Sequence, residues 1–226
     1  MGALAIERPI DAGTLRFVAR NEAPAAGAKT ARVRLGHEER QQQLTEACAY
    51  LIATKGYSKT SVRDVAAHVG ISTGTLLHHF ASKEELLVAT LLSVSDDFLE
   101  HSVAAAGADG DPVQRLRNVV RAILEAPRHE IGWRVWIAFW HEAATNKELA
   151  PVASERTDLA ESIIADLIEQ SRQEGLLRVK DASVSAAELA ALIDGVALRI
   201  YGESGRWSNE RGIELVDRLI DDWVTT

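Results

Sequence analysis

Between Gly70 and Phe80 the chain places Ser72, Thr73, Gly74, Thr75 and His78 in quick succession. These side chains are short or donate hydrogen bonds, and none has the spacing of a nucleophile beside its base. What such a run can do is approach another surface closely. On a helix, small polar residues let the backbone sink into a groove about 12 Å wide, the major groove of B-DNA, and reach base edges. Gly74 fits the same use: in a free helix it costs about 1 kcal/mol relative to Ala, and close approach to a phosphate or base edge explains it. Arg63 and Lys83 flank the run and suit phosphates, as do the amides at the starts of helices opened by Ser61 and Ser82.

Positioning that face requires a bend between two helices. Ser61, with Asp64 three residues on, is a capping-box variant that opens the first of them. Val62, Val65, Ala66 and Val69 make its inward face, and Ala66 is small enough to lie where the two helices cross. Gly70 supplies the positive φ of a sharp turn, and Ser72 caps the second helix, expected to run through about Phe80. A preceding helix is read from Leu44, Ala47, Cys48, Leu51 and Ile52, spaced i, i+3, i+4, i+7, i+8 and closed by Gly56. Ser82-Lys83-Glu84-Glu85 opens a longer fourth helix.

The remainder keeps helical periodicity. Pro112 stands at a first-turn position, an indole-rich segment covers about 130–145, and further helices cover about 149–174, 185–201 and 209–224. No alternation of Val, Ile and Thr marks a strand. The expected fold is all-α, with nine to ten helices. Residues 1–36 read as an irregular, mostly mobile arm carrying Lys29, Arg32 and Arg34, residues 37–83 as a helix-turn-helix DNA-binding domain, and 84–226 as a helical ligand-binding and dimerisation domain.

A second group of residues could bind a small molecule. At 100° per residue Trp133, Trp136, Ile137 and Trp140 share about 100° of one helix face. Such a stripe serves as core, or its rings line a pocket that takes a cationic amine by cation–π attraction or an aromatic, apolar molecule. Asp194 interrupts an apolar run from Leu189 to Ile200; it either sits at the surface or pairs across a dimer, or it stands as a counter-charge in the pocket. The long helices 149–174 and 185–201 are candidates for a four-helix dimer bundle, with Gly195 allowing close packing.

Composition narrows the classes. The net charge of −8 conceals a split: residues 1–83 hold 11 Lys and Arg against 7 Asp and Glu, while 84–226 hold 14 against 26. Polyanion binding needs a local positive face, not a positive whole. The single cysteine, Cys48, rules out an internal disulfide and reads as a small core residue. His78 and His79 lack partners at zinc spacing. No nucleophile motif, phosphate-binding glycine loop or catalytic acid pair is present, so neither enzyme chemistry, a metal nor a cofactor is expected. With no signal-peptide core and no apolar run of about 20 residues, a cytoplasmic protein is expected.

The combination Val65-Ala66, Gly70-Ile71-Ser72-Thr73-Gly74-Thr75-Leu76, His79-Phe80 and Ser82-Lys83-Glu84-Glu85-Leu86 resembles the DNA-binding domain of the TetR family. At Leu77 and His78 the family often carries tyrosines, one of which contacts phosphate; His78 could substitute as a donor. Trp133 to Trp140, with Ala191-Leu-Ile-Asp194-Gly195-Val-Ala-Leu-Arg199, resembles the BetI-type branch, whose best-known members control choline and betaine genes. The resemblance implies a homodimeric repressor that holds a near-palindromic operator through Ser61, Arg63, Ser72, Thr73, Gly74, Thr75, Leu77, His78, His79 and Lys83. It also implies an inducer bound in the C-terminal half that releases the operator. A helical small-molecule-binding protein without specific DNA binding, or an activator of the same fold, would share these features.

Overall fold

The computed structural model describes residues 36–125, 129–147, 149–202 and 207–225. The expectations for the N-terminal arm, including Lys29, Arg32 and Arg34, fall outside the described residues. Within them every regular element is a helix: α1 (His37–Lys55), α2 (Val62–Val69), α3 (Thr73–Leu77), α4 (Lys83–Ala106), α5 (Pro112–Leu124), α6 (His129–Ala143), α7 (Ala150–Gln173), α8 (Ala182–Tyr201) and α9 (Asn209–Trp223). The fold class is therefore all-α, as expected.

Side-chain caps start most of these helices. Oγ of Ser61, Ser72, Ser82 and Ser208 each accepts from the amide three residues on, and Asp111 does the same through Oδ1. Each satisfies a donor that the helix itself cannot, worth about 1 kcal/mol. Two boundaries differ from the sequence reading. α3 stops at Leu77, because the amides of His79 and Phe80 both turn back to the Leu76 carbonyl and the chain must reach the extended backbone that Ser82 adopts as a cap. α8 begins at Ala182 rather than Ser185, because Asp181 Oδ1 accepts from the amides of Ser183 and Val184 at 2.9 and 3.1 Å.

Two apolar cores follow. The larger joins α5, α7, α8 and α9 through Leu116, Val120, Ile168, Leu189, Val196 and Ile220, all fully or almost fully buried. The smaller lies under α1–α3 and contains Leu44, Cys48, Val65, Leu76 and Phe80. Its floor is not supplied by α1–α3 alone: Leu86 and Val94 of α4 and Val135 of α6 belong to it. Phe98 of α4 packs against both cores. α4 and α6 come close at Gly132, where a Cβ would stand 3.0 Å from the Phe98 ring. At the far end, Arg178 and Thr225 amides donate to Trp223 and Leu176 carbonyls at 2.6 and 2.9 Å, pinning the end of α9 to the α7–α8 connection.

Candidate nucleic-acid interface and small-molecule cavity

The bend between α2 and α3 is set by hydrogen bonds that only one residue type makes without strain. Gly70 adopts φ 76° and ψ 32°. Its amide donates to the Ala67 carbonyl at 3.2 Å, and the Ile71 amide donates to Ala66 at 2.9 Å. This pairing is the Schellman arrangement, which ends a helix and turns the chain sharply. Ala66, 1% exposed, fills the crossing, and Val65 and Leu76 are buried beneath it. At the start of α2, Ser61 and Asp64 satisfy each other reciprocally: the Asp64 carboxylate accepts from both the Ser61 amide and hydroxyl, and the Asp64 amide donates to Ser61 Oγ. Those bonds hold the Asp64 carboxyl below the usual range.

The result is an open face. Ser61, Arg63, Ser72, Thr73, Gly74, Thr75, Leu77 and His78 are all exposed. Ser72 Oγ takes the Thr75 amide at 3.1 Å and lies 2.8 Å from Thr75 Oγ1, so these two fix the helix start while Thr73 stays free to reach outward. Leu77 is 44% exposed, an apolar side chain presented beside the polar ones. Lys83 is partly covered, with its ammonium 5.2 Å from the Tyr57 ring centre.

His79 departs from the expected placement. It is half-buried and turned toward α1, its ring 4.7 Å from that of His37 and its carbonyl accepting from Gln41 Nε2 at 3.3 Å. Its Nδ1 is buried without a partner. Burial lowers its pKa, and the neighbouring His37, His78 and Arg40 push the same way. His79 therefore braces α3 against α1 instead of sharing the open face.

A cavity of about 90 Å³ lies among α4, α5, α6, α7 and α8. Trp133, Trp136 and Asp194 line it. Ile137 and Trp140 do not: Ile137 packs into the larger core and Trp140 is 45% exposed. The cavity reaches only the first two turns of α6, opposite Phe98, so Trp140 lies one turn too far along. Trp133 donates its indole N–H to the Ile123 carbonyl at 3.0 Å, meets Phe98 at 5.4 Å between ring centres, and runs parallel to Tyr201. Asp194 is poorly hydrated; burial and the nearby Glu161 raise its pKa to about 6.

Glu161 and Arg156 on α7 also line the cavity, and the sequence reading missed both. They sit in a stretch with Glu155 and Asp158 that looks like a solvated charged face. The available signal was periodicity: Arg156, Thr157, Ala160 and Ile164 recur at helical spacing, and all four line the cavity. Gly195, expected at a packed contact, has open space around the position of a Cβ within the protomer. No group of three or more metal-ligating side chains occurs among the described residues.

Two family models match separate parts of the chain. Residues 44–90 match the model for bacterial regulatory proteins of the tetR family, and residues 112–225 match the C-terminal model of BetI-type transcriptional repressors. The transcriptional regulator BetI of Burkholderia thailandensis is 32% identical over 197 residues, covering 83% of this chain and 95% of its own. The regulator PksA of Bacillus subtilis is 27% identical over 179 residues, covering 78% of this chain and 86% of its own. Among solved structures, a transcriptional regulator of Saccharomonospora viridis in complex with choline superimposes with a TM-score of 0.78 at 26% identity, over 84% of this chain and all of that one.

Proposed function

Because the chain belongs to the TetR family of DNA-binding transcriptional regulators, in its BetI-type branch, we propose that it is a cytoplasmic homodimeric repressor that a small molecule releases from its operator. The observation that carries this reading is the open face from Ser72 to His78, held clear of its own core by the Gly70 turn. Thr73, Thr75 and His78 face base edges; Arg63, Lys83 and the amides at the starts of α2 and α4 sit on phosphates. Few of these groups make bidentate base contacts, so DNA shape carries part of the specificity.

One face of α8 supports the dimer. Val184 and Leu198 are 56% and 53% exposed, and Ala187, Ala191 and Gly195 lie exposed between them at helical spacing. Such a strip of apolar and small side chains fits a two-fold helix pairing, which would hold two recognition helices about 34–36 Å apart, one DNA turn. The cavity supports the effector: Phe98 and Ser95 bring α4, which starts at Lys83, onto its wall. A ligand that prefers the cavity shape found with the heads spread moves the population off DNA, and a differential of about 1–3 kcal/mol gives roughly 5–150-fold release. The Saccharomonospora viridis regulator holds choline, which is consistent with a small organic cation here.

The test is a gel shift on the chain's own upstream region at physiological salt. Thr73→Ala and Lys83→Ala are expected to weaken specific binding about 5- to 10-fold, within the usual range for a lost contact, and Lys83→Ala alone to flatten the salt dependence. Equal binding of specific and random duplex by wild type and both variants would refute the repressor reading.

A further inference from the structure

The cavity's polar groups are unevenly spent, and the imbalance describes a ligand. Two carboxylates, Asp194 from α8 and Glu161 from α7, share the lining, and neither has a hydrogen bond or ion pair among the described residues. Burying negative charge without a partner is unfavourable, and Arg156, the cation of the lining, is paired with Asp96, so these two carboxylates lack a counter-charge. The hydroxyls of Ser95, Ser102 and Thr157 line the same space, but each already donates to a carbonyl of its own helix, at 3.1, 2.8 and 3.0 Å. What remains on them is lone pairs. The Trp133 indole N–H is likewise committed to Ile123. Arg156 keeps a donor to spare: its Nη1 holds Asp96 at 2.6 Å, while its Nε–H is buried with no acceptor.

We propose, building on the effector reading above, that this cavity selects a small protonated amine that retains N–H bonds and carries an oxygen acceptor a few bonds away, an amino alcohol in chemical class. Its ammonium sits between Asp194 and Glu161, its oxygen takes the Arg156 Nε–H, and its methylenes lie against Phe98 and Trp136. An N–H bond aimed at a carboxylate or hydroxyl oxygen satisfies the acceptors. A quaternary ammonium offers charge but no donor, so it leaves them unpaired, and unpaired buried acceptors are where discrimination between close analogues comes from. Size points the same way. At about 90 Å³ the cavity is smaller than the roughly 150 Å³ that accepts benzene, so every added N-methyl competes for little space. Aromatic walls alone would favour methylated cations, but here the rings are engaged with each other: Trp133 with Phe98 and Tyr201, Trp136 with Phe139.

The experiment titrates the full-length protein with ethanolamine, its N-methyl and N,N-dimethyl derivatives, choline and ethylamine. Binding is read by indole fluorescence and calorimetry, and operator release separately by anisotropy. Affinity is expected to fall at each methylation, with choline at least 10-fold weaker than ethanolamine. Ethylamine, which lacks the oxygen, should also be about 10-fold weaker. Glu161→Gln should weaken ethanolamine at least 10-fold while changing choline less; since the ligand series itself needs no variant, a fold defect in that protein does not decide the matter. Choline binding as tightly as ethanolamine, ethylamine matching ethanolamine, or no binding by any of the five overturns the proposal. If the order of affinities holds but none displaces the operator, the effector reading fails and the ligand class stands.

Discussion

Asp194 is a carboxylate kept where water reaches it poorly, beside a second acid, and that placement has a thermodynamic signature. Its pKa is raised to about 6 in the folded chain, so between about pH 4 and 6 the native state binds this proton more tightly than the unfolded state. The sign follows: its contribution to stability is greatest below about pH 4 and is lost as pH rises through 6. Asp194→Asn is therefore expected to stabilise the ligand-free protein at pH 7.5 by about 1–2 kcal/mol, the lower part of what the shift implies, since the group is not fully sealed from solvent. That is a Tm rise of roughly 2–6 °C in thermal melts, and it should vanish near pH 4. Equal melting shifts at both pH values would show that the carboxyl is not desolvated. At this scale the sequence was legible where a residue's type contradicted its setting: short polar side chains with Gly74 inside a helix, or Asp194 inside an apolar run. Glu161 and Arg156 gave no such contradiction, because charged residues on a helix look alike whether they face water or a cavity formed with four other helices.

Helix starts were legible for a related reason. Ser61, Ser72, Ser82 and Asp111 act through local bonds to amides three residues on, so the sequence window that holds the cap also holds its partner. The end of α3 was not, since it is decided by where the next cap must place the backbone, and neither was the position of Trp140, which depends on how far the cavity extends along α6. The Gly70 turn permits a clean test of what holds the bend. A Cβ at this position meets nothing within 4 Å, so Gly70→Ala should cost only the strain of a side chain at φ 76°, about 1–2 kcal/mol. Chemical denaturation should show that loss with an unchanged slope. A much larger loss, or a changed slope, would mean that the turn is crowded and the α2–α3 packing shown here is wrong.

For the molecule as a whole, the exposed strip on α8 and the open face on α3 must work together if two heads are to meet one duplex. Leu198→Arg places a charge on the proposed contact and should give a monomer by size-exclusion chromatography. Specific operator binding should fall more than 10-fold, and melting should no longer depend on protein concentration. A dimer that survives the substitution would place the contact elsewhere. The floor beneath α1–α3 sets a different limit. Val94 and Val135, contributed by α4 and α6, complete that core, and Phe98 belongs to it and to the larger core at once. A reading head cut away after Ser82 would leave its underside bare, and one transplanted onto a cousin's body would rest on side chains shaped for a different tenant. Exchange of whole reading heads between relatives is thus expected to require matched changes at 94, 98 and 135, which ties the groove-reading surface to the chamber below it.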